Sequence, residues 1–328
     1  MHLQPISPLH KDAIMKAEDY LSFVDAWEGR ATIRTRPRRI VENDEKLIYP
    51  LSRQPLVLSE TFTRECPYLR DLALVQSLYK FINDVVIFET EIVDKTARSI
   101  AKDNFAIRFP FACRYDAMTV VVDEDCHALV AMDFMQQTIA LTGVQPIPLP
   151  QEIELSRAIP AALALAPEHL RSAVELICVA IAENTVTNDV AAFAKDDTVK
   201  QSVKGLMSDH LLDEGRHSGF WSRLVRIYWH AAPEQDKQLI AQILPVFIAH
   251  YLTNDIQKSF DFVLIDSLPV AETIRQALKQ ETQAMCFPIN RHHPLMTNIM
   301  RFFTTSSMLD SPCVRHALGD YLPAGGLQ

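Results

Sequence analysis

Two stretches of this chain repeat Asp-Glu-x-x-His, first as Asp123-Glu124-Asp125-Cys126-His127 and again as Asp213-Glu214-Gly215-Arg216-His217. Each lies in a long segment of helical periodicity, where residues three apart share a face about 4.5 Å apart along the axis. One glutamate and one histidine at that spacing can reach a single metal ion. Each repeat also has an upstream glutamate: Glu89 lies 35 residues before Glu124, and Glu183 lies 31 before Glu214. Helix, connection and motif-bearing helix therefore occur twice. Two such hairpins, face to face, supply the ligand set of a di-iron or di-manganese carboxylate centre inside a four-helix bundle. That requirement fixes four long helices before anything else is known.

The choice among competing glutamates follows from their helical neighbours. Glu89 shares its face with Ile82, Val85, Val86, Ile92 and Val93, whereas Glu91 sits among Asp84, Asp94, Lys95 and Arg98, a solvated face. Glu183 lies with Leu176, Val179, Ala180, Val186 and Val190, while Glu175 lies with Arg171 and Ser172. Glu124 is flanked by Val120, Val121, Ala128 and Ala131. An unpaired carboxylate in an apolar stripe costs several kcal/mol, and these stripes carry almost no Lys or Arg. Two divalent ions bring about four positive charges to about four carboxylates, which leaves a neutral site with neutral imidazoles.

His210 breaks the repeat. It stands four residues before Glu214, completing His-x-x-x-Glu-x-x-His on one helix face, where the first repeat has Val120. A third imidazole there makes one metal richer in nitrogen than the other. The order is not His-Glu-x-x-His, so a zinc protease is excluded on spacing. Asp123 and Asp213 are expected to accept a hydrogen bond from a ligand histidine, within or across the motifs, and so to fix its tautomer.

Composition agrees with an all-α chain. Only eight glycines occur in 328 residues, strand-like alternation is scarce, and Ala, Leu, Val, Glu, Gln and Met dominate the long segments. The formal charge of -9 argues against a nucleic-acid partner. One basic run, Arg34 to Arg39, contains a proline and reads as an exposed loop, with a docking patch as the alternative. Six scattered cysteines without a Cys-x-x-Cys pair suit buried free thiols in a reducing compartment. The first twenty residues lack a signal pattern, and the most apolar stretch, 128–144, is interrupted by Asp133, Gln136 and Gln137. A cytoplasmic protein without a membrane span is the expectation.

The organisation expected is an N-terminal wrap over residues 1–66, a bundle over 67–232 and further helices packing on it over 233–328. The bundle helices should run from Pro67 to about Lys102, Tyr115 to Thr142, Pro167 to about Lys195 and Asp197 to about His230. Residues 145–160 read as a proline-rich connection that carries the chain across the bundle. A fifth helix over 234–262, kinked at Pro245, and shorter ones near 270–284 and 294–308 complete the expectation.

These residues carry a family resemblance. Glu89, Glu124 with His127, Glu183, and His210 with Glu214 and His217 match, in order and nearly in spacing, the seven ligands of the AurF/CmlI family of di-iron amine N-oxygenases. The resemblance covers about residues 80–220 and implies a ferritin-like four-helix bundle core with additional N- and C-terminal helices. It further implies two iron ions, O2 and an external electron donor, with a peroxo di-iron species oxidising a small-molecule amine to hydroxylamine, nitroso or nitro product in a biosynthetic pathway. Homodimers are the family's habit. The amine is an aminoarene acid by analogy, with an aliphatic amine or a carrier-protein-bound amino acid left open.

Three rivals use the same scaffold. C–H hydroxylation or desaturation is separated from N-oxygenation only by product analysis. Iron storage or ferroxidase work fits poorly with the chain length and the third histidine. A radical-generating reductase subunit would want a tyrosine four residues after His127, where Ala131 stands. The substrate cavity is expected between the bundle and the C-terminal helices, where Phe287, Arg291, His292, His293, Arg301, Phe302 and Phe303 cluster.

Overall fold

The computed structural model describes residues 20–285 and 287–322, with the backbone alone at 186–189 and 192. The expected free thiol of Cys286, the side chain of Val186 and residues 1–19 of the N-terminal wrap lie outside the described residues. Among the described residues, β structure is limited to one isolated parallel bridge between Leu47 and Val199.

The N-terminal region carries three short helices, α1 (Val24–Arg30), α2 (Thr32–Thr35) and α3 (Glu60–Glu65). Next come α4 (Arg70–Ile87), a π-helical turn at Phe88–Val93, and α5 (Asp94–Ala101), which together form one long rod. The rest of the bundle is α6 (Phe111–Thr142), α8 (Arg171–Lys195) and α9 (Gln201–Ala231), with α7 (Glu154–Leu165) in the crossover. After it follow α10 (Glu234–Tyr251), α11 (Asp255–Ser267), α12 (Glu272–Ala284), α13 (Met296–Thr305) and α14 (Pro312–Ala317).

Two apolar cores fix the helix directions. One gathers Leu74 and Leu78 from the first half of α4, Phe134 from late α6, Val190 from late α8, and Val203 and Leu206 from early α9. The other gathers Val93, Val121, Leu176, Ile177, Phe220 and Trp221, from the opposite ends of the same rods. The rod of α4 and α5 is thus antiparallel to α6, and α8 to α9, while α6 and α8 run in the same direction. A parallel pair needs a long crossover, and residues 143–170 provide it. The polar motif residues sit between the two cores, midway along the bundle.

Local chemistry explains the boundaries. Pro110 precedes α6, and Gly143 ends it at φ 69°, donating its N–H to the Ile139 carbonyl. Left-handed backbone there suits glycine. Pro233 precedes α10, whose first turn carries Glu234 and Asp236 against the positive end of the helix.

Three expectations need correction. Part of the 145–160 connection is helical: α7 opens with the Ser156 hydroxyl accepting from the Ile153 N–H at 3.2 Å, and it tolerates Pro160. Its buried residues Leu155, Ala158, Ile159 and Ala162 follow helical spacing, a signal that the surrounding prolines obscured. The helix expected over 234–262 is two, broken at residues 252–254, whereas Pro245 stays within α10. Asp94, expected on a solvated face, is buried and paired with Arg98 at 2.7 Å. Residues 234–267 are long and apolar enough to cross a membrane by composition. Here they are broken, and they bury Phe247, Ile248, Phe260 and Leu264 in the two cores.

Candidate metal centre

All seven expected side chains converge between the cores. Glu89, His127, His210 and Glu214 bring one ligand atom each within 4.8 Å of one another, and so do Glu124, Glu183, Glu214 and His217. Glu214 belongs to both groups, as a bridging carboxylate must. Glu124 also reaches both sides, with Oε2 2.9 Å from His127 Nδ1 and Oε1 2.9 Å from His217 Nδ1. His210 points inward as well, its Nε2 lying 3.1 Å from Glu214 and 3.4 Å from Glu89. Its ring stacks on His127 with centroids 4.2 Å apart. The group around Glu89 therefore holds two imidazoles and the group around Glu183 holds one.

The π-helical turn presents Glu89. An extra residue per turn shifts the register, so Glu89, Ile92 and Val93 face the interior while Thr90 and Glu91 face solvent. Glu175 is half-buried and meets Lys95 and Thr96 away from the centre. Val120, the counterpart of His210, is ordinary core.

The aspartates work across the motifs. Asp123 Oδ2 lies 3.1 Å from His217 Nε2, and Asp213 Oδ2 lies 3.1 Å from His127 Nε2. An ionised carboxylate only accepts, so each Nε2 carries the hydrogen and each Nδ1 turns its lone pair to the centre. Burial opposes ionisation of Asp213, but hydrogen bonds from His127 and Thr32 outweigh it and hold the carboxyl below its usual range. Arg216 joins the two halves, donating to Asp123 at 2.9 Å and also to Asp213.

The donor set suits a cation. As carboxylates, both oxygens of buried Glu89 and Oε2 of buried Glu214 have no hydrogen-bond donor. Burial drives Glu89 and Glu183 well above the normal carboxyl range, and the Glu124 and Glu214 charges add to it. Burial and the Glu124 charge oppose ionisation of Glu214, yet His210 and His217 hold it down to about 2. His127 rises to about 9: burial and His210 oppose its protonation, but Asp213 and Glu124 outweigh both. His217 is raised well above the ordinary histidine value, because Glu124 and Asp123 overcome the cost of burial. Protons thus balance the cluster, and divalent cations would take over that role as the protons leave.

One cavity reaches the centre. It has a volume of about 240 Å³ and ends at His127 and His210, on the imidazole-rich side. Phe81, Ile82, Val85, Val130, Leu206 and Met207 form apolar walls, and Arg36, Arg38 and Arg39 stand among its remaining lining residues. The cavity expected against the C-terminal helices is not this one. Phe302 and Phe303 are buried in the core, while Phe287, Arg291, His292 and Arg301 face solvent. That cluster is close in sequence, but α13 spends its aromatic face packing on the bundle.

The basic run instead forms part of the cavity lining. Arg38 pairs with Asp133 at 2.6 Å, Arg39 with Asp209 at 2.7 Å and Arg36 with Asp209 at 3.3 Å. Arg39 lies on the bare backbone of α9 at Gly205, where a Cβ would come within 3.0 Å of its Cζ. The sequence offered no local sign of Trp27 or Thr32, whose contacts to the motif aspartates span 96 and 181 residues. Arg216 was visible inside the second motif, where the first has Cys126, but its two-sided pairing was not.

The family model described as P-aminobenzoate N-oxygenase AurF matches residues 24–301. A 4-aminobenzoate N-oxygenase of Streptomyces thioluteus is 23% identical over 238 residues, covering 71% of each chain.

Proposed function

Because the chain belongs to the p-aminobenzoate N-oxygenase AurF family and is accordingly an N-oxygenating oxidoreductase, we propose that its seven-residue centre holds two iron ions and oxidises an anionic arylamine. The observation that carries this reading is the pair of four-residue ligand groups sharing Glu214. Glu89, His127 and His210 would hold one ion, and Glu124, Glu183 and His217 the other. Iron there supplies dioxygen reduction, with an external donor restoring its electrons.

The chain's own residues account for the rest. The apolar walls exclude water around a ring, and the cavity leads its amino group toward His127 and His210. Three arginines against Asp133 and Asp209 leave the cavity lining one positive charge in excess, on a chain whose total is -9. Arg36 is the least tightly paired of them, held by one 3.3 Å contact where Arg38 and Arg39 pair at 2.6 and 2.7 Å. It suits the carboxylate of an aminobenzoate-type substrate, the class named for the relative. The same reading takes the enzyme as cytoplasmic and homodimeric. The exposed side chains Phe111, Leu129 and Met132 along α6 support a partner surface.

The test is turnover of 4-aminobenzoate with labelled dioxygen by iron-loaded enzyme. Label on nitrogen is expected; label on carbon, or a mineral core with no product, refutes the reading. Arg36→Met should raise KM for 4-aminobenzoate by up to about fivefold, the loss of one exposed charge contact, and leave KM for uncharged aniline unchanged.

A further inference from the structure

The N-terminal segment reaches past the cavity to the aspartates behind the centre. Trp27 of α1 donates Nε1–H to Asp123, 2.9 Å from each oxygen. Thr32 of α2 donates its hydroxyl to Asp213 Oδ2, and its backbone N–H lies 3.3 Å from both oxygens. Trp27 is buried under the Arg34 guanidinium, 5.2 Å from the ring centroid. Each aspartate is therefore held by one residue of this segment (through one donor for Asp123, two for Asp213), by Arg216 and by the histidine of the opposite motif.

We propose that Trp27 and Thr32 are positioning residues for the metal ions: Trp27 fixes His217 through Asp123, and Thr32 fixes His127 through Asp213. A carboxylate free to swing would let its imidazole rotate, and the ring's Nδ1 would leave the line to the metal. With all three partner residues in place the carboxylate has one orientation. The two halves of the segment thus act on different ions, Trp27 on the Glu183 side and Thr32 on the Glu89 side. Direct partners of ligand histidines, here Asp123 and Asp213, change metal affinity by about 10–100-fold; Trp27 and Thr32 act one step further out, so an effect of up to about tenfold is expected, still measurable one ion at a time.

This inference rests on the reading that the seven residues hold two ions, and the experiment separates the two. Ferrous iron is titrated anaerobically into wild type, Trp27→Phe and Thr32→Val against a chromophoric ferrous chelator, with metal-free melting as control. Phenylalanine keeps the ring but lacks the N–H, and valine keeps the shape but lacks the hydroxyl. Trp27→Phe should weaken one of the two ions by up to about tenfold and spare the other, and Thr32→Val, which keeps the backbone N–H, should weaken the opposite one less. Thr32→Ser should restore wild-type binding. Equal weakening of both ions with a lower metal-free melting temperature would make the segment a mere fold support, and unchanged affinities would remove its role. Wild type that takes up fewer than two ions refutes the two-ion reading instead.

Discussion

Glu89→Gln should move stability and metal binding in opposite directions. Glu89 is fully buried, and its ligand oxygen lies within 4.8 Å of that of Glu214. At an effective dielectric of about 20, two like charges at that distance repel by about 3 kcal/mol, and burial adds to the cost. In the metal-free protein Glu89 therefore holds a proton that the unfolded chain gives up near pH 4.5. The sign follows from that difference. Folded-state pKa is raised, so the native state is favoured fully below pH 4.5 and loses about 1.4 kcal/mol for each pH unit above it until its own pKa is reached. Glutamine has no proton to keep. The variant should gain on wild type by about 1.4 kcal/mol between pH 5 and 6, a melting shift of roughly 2 °C for a chain of this size. Iron binding should fall from two ions to one, because an anionic ligand is gone. Calorimetry of metal-free protein at pH 5, 6 and 7, followed by iron analysis after loading, reads both effects. A variant that melts below wild type at pH 7, or that keeps both ions at wild-type affinity, refutes the argument.

Two further outcomes are expected. Asp261 is buried among Gln54 and Gln257, and burial pushes its carboxyl up to about 6 from an ordinary value of 3.8. Its stabilising protonation is complete below pH 3.8 and lost by about pH 6, so Asp261→Asn should be more stable than wild type by up to about 3 kcal/mol above pH 6 and equal to it near pH 4; denaturant unfolding at the two pH values checks this. Gly205→Ala adds a good helix former worth about 1 kcal/mol but displaces the Arg39 guanidinium from a partly exposed pair of similar or smaller value. Stability should stay within about 1 kcal/mol of wild type while KM for 4-aminobenzoate rises; a loss above 2 kcal/mol would show that Arg39 cannot move aside.

The bundle was legible because its signals are local. Glu124 to His127 and Glu214 to His217 each span one helical turn, and apolar neighbours separated Glu89 from Glu91 and Glu183 from Glu175 without any knowledge of the fold. Helix ends at Gly143 and Pro233 were equally local. What escaped the sequence depends on contacts between distant segments. Trp27 on Asp123, Thr32 on Asp213 and Arg36 in the cavity leave no periodic trace, because α1 and α2 are too short to show a repeat and are held by whatever they meet. The C-terminal aromatics misled for the opposite reason: Phe302 and Phe303 have the composition of a binding pocket, but they are buried against α8 and α9. The prolines of 145–160 likewise hid α7, since Pro160 removes one hydrogen bond from a helix that burial of Leu155 and Ile159 holds together.

The crossed pairing of aspartates and histidines makes each hairpin dependent on the other. Neither half of the bundle, folded alone, carries the carboxylate that sets its own imidazole. A partly synthesised chain ending before α9 would offer Glu89, Glu124, His127 and Glu183 with His127 unanchored, a poor trap for iron. With two ions at this centre, their capture would wait until the last long helix has docked, and a nascent polypeptide would be spared the oxidising chemistry that its finished form is built to perform.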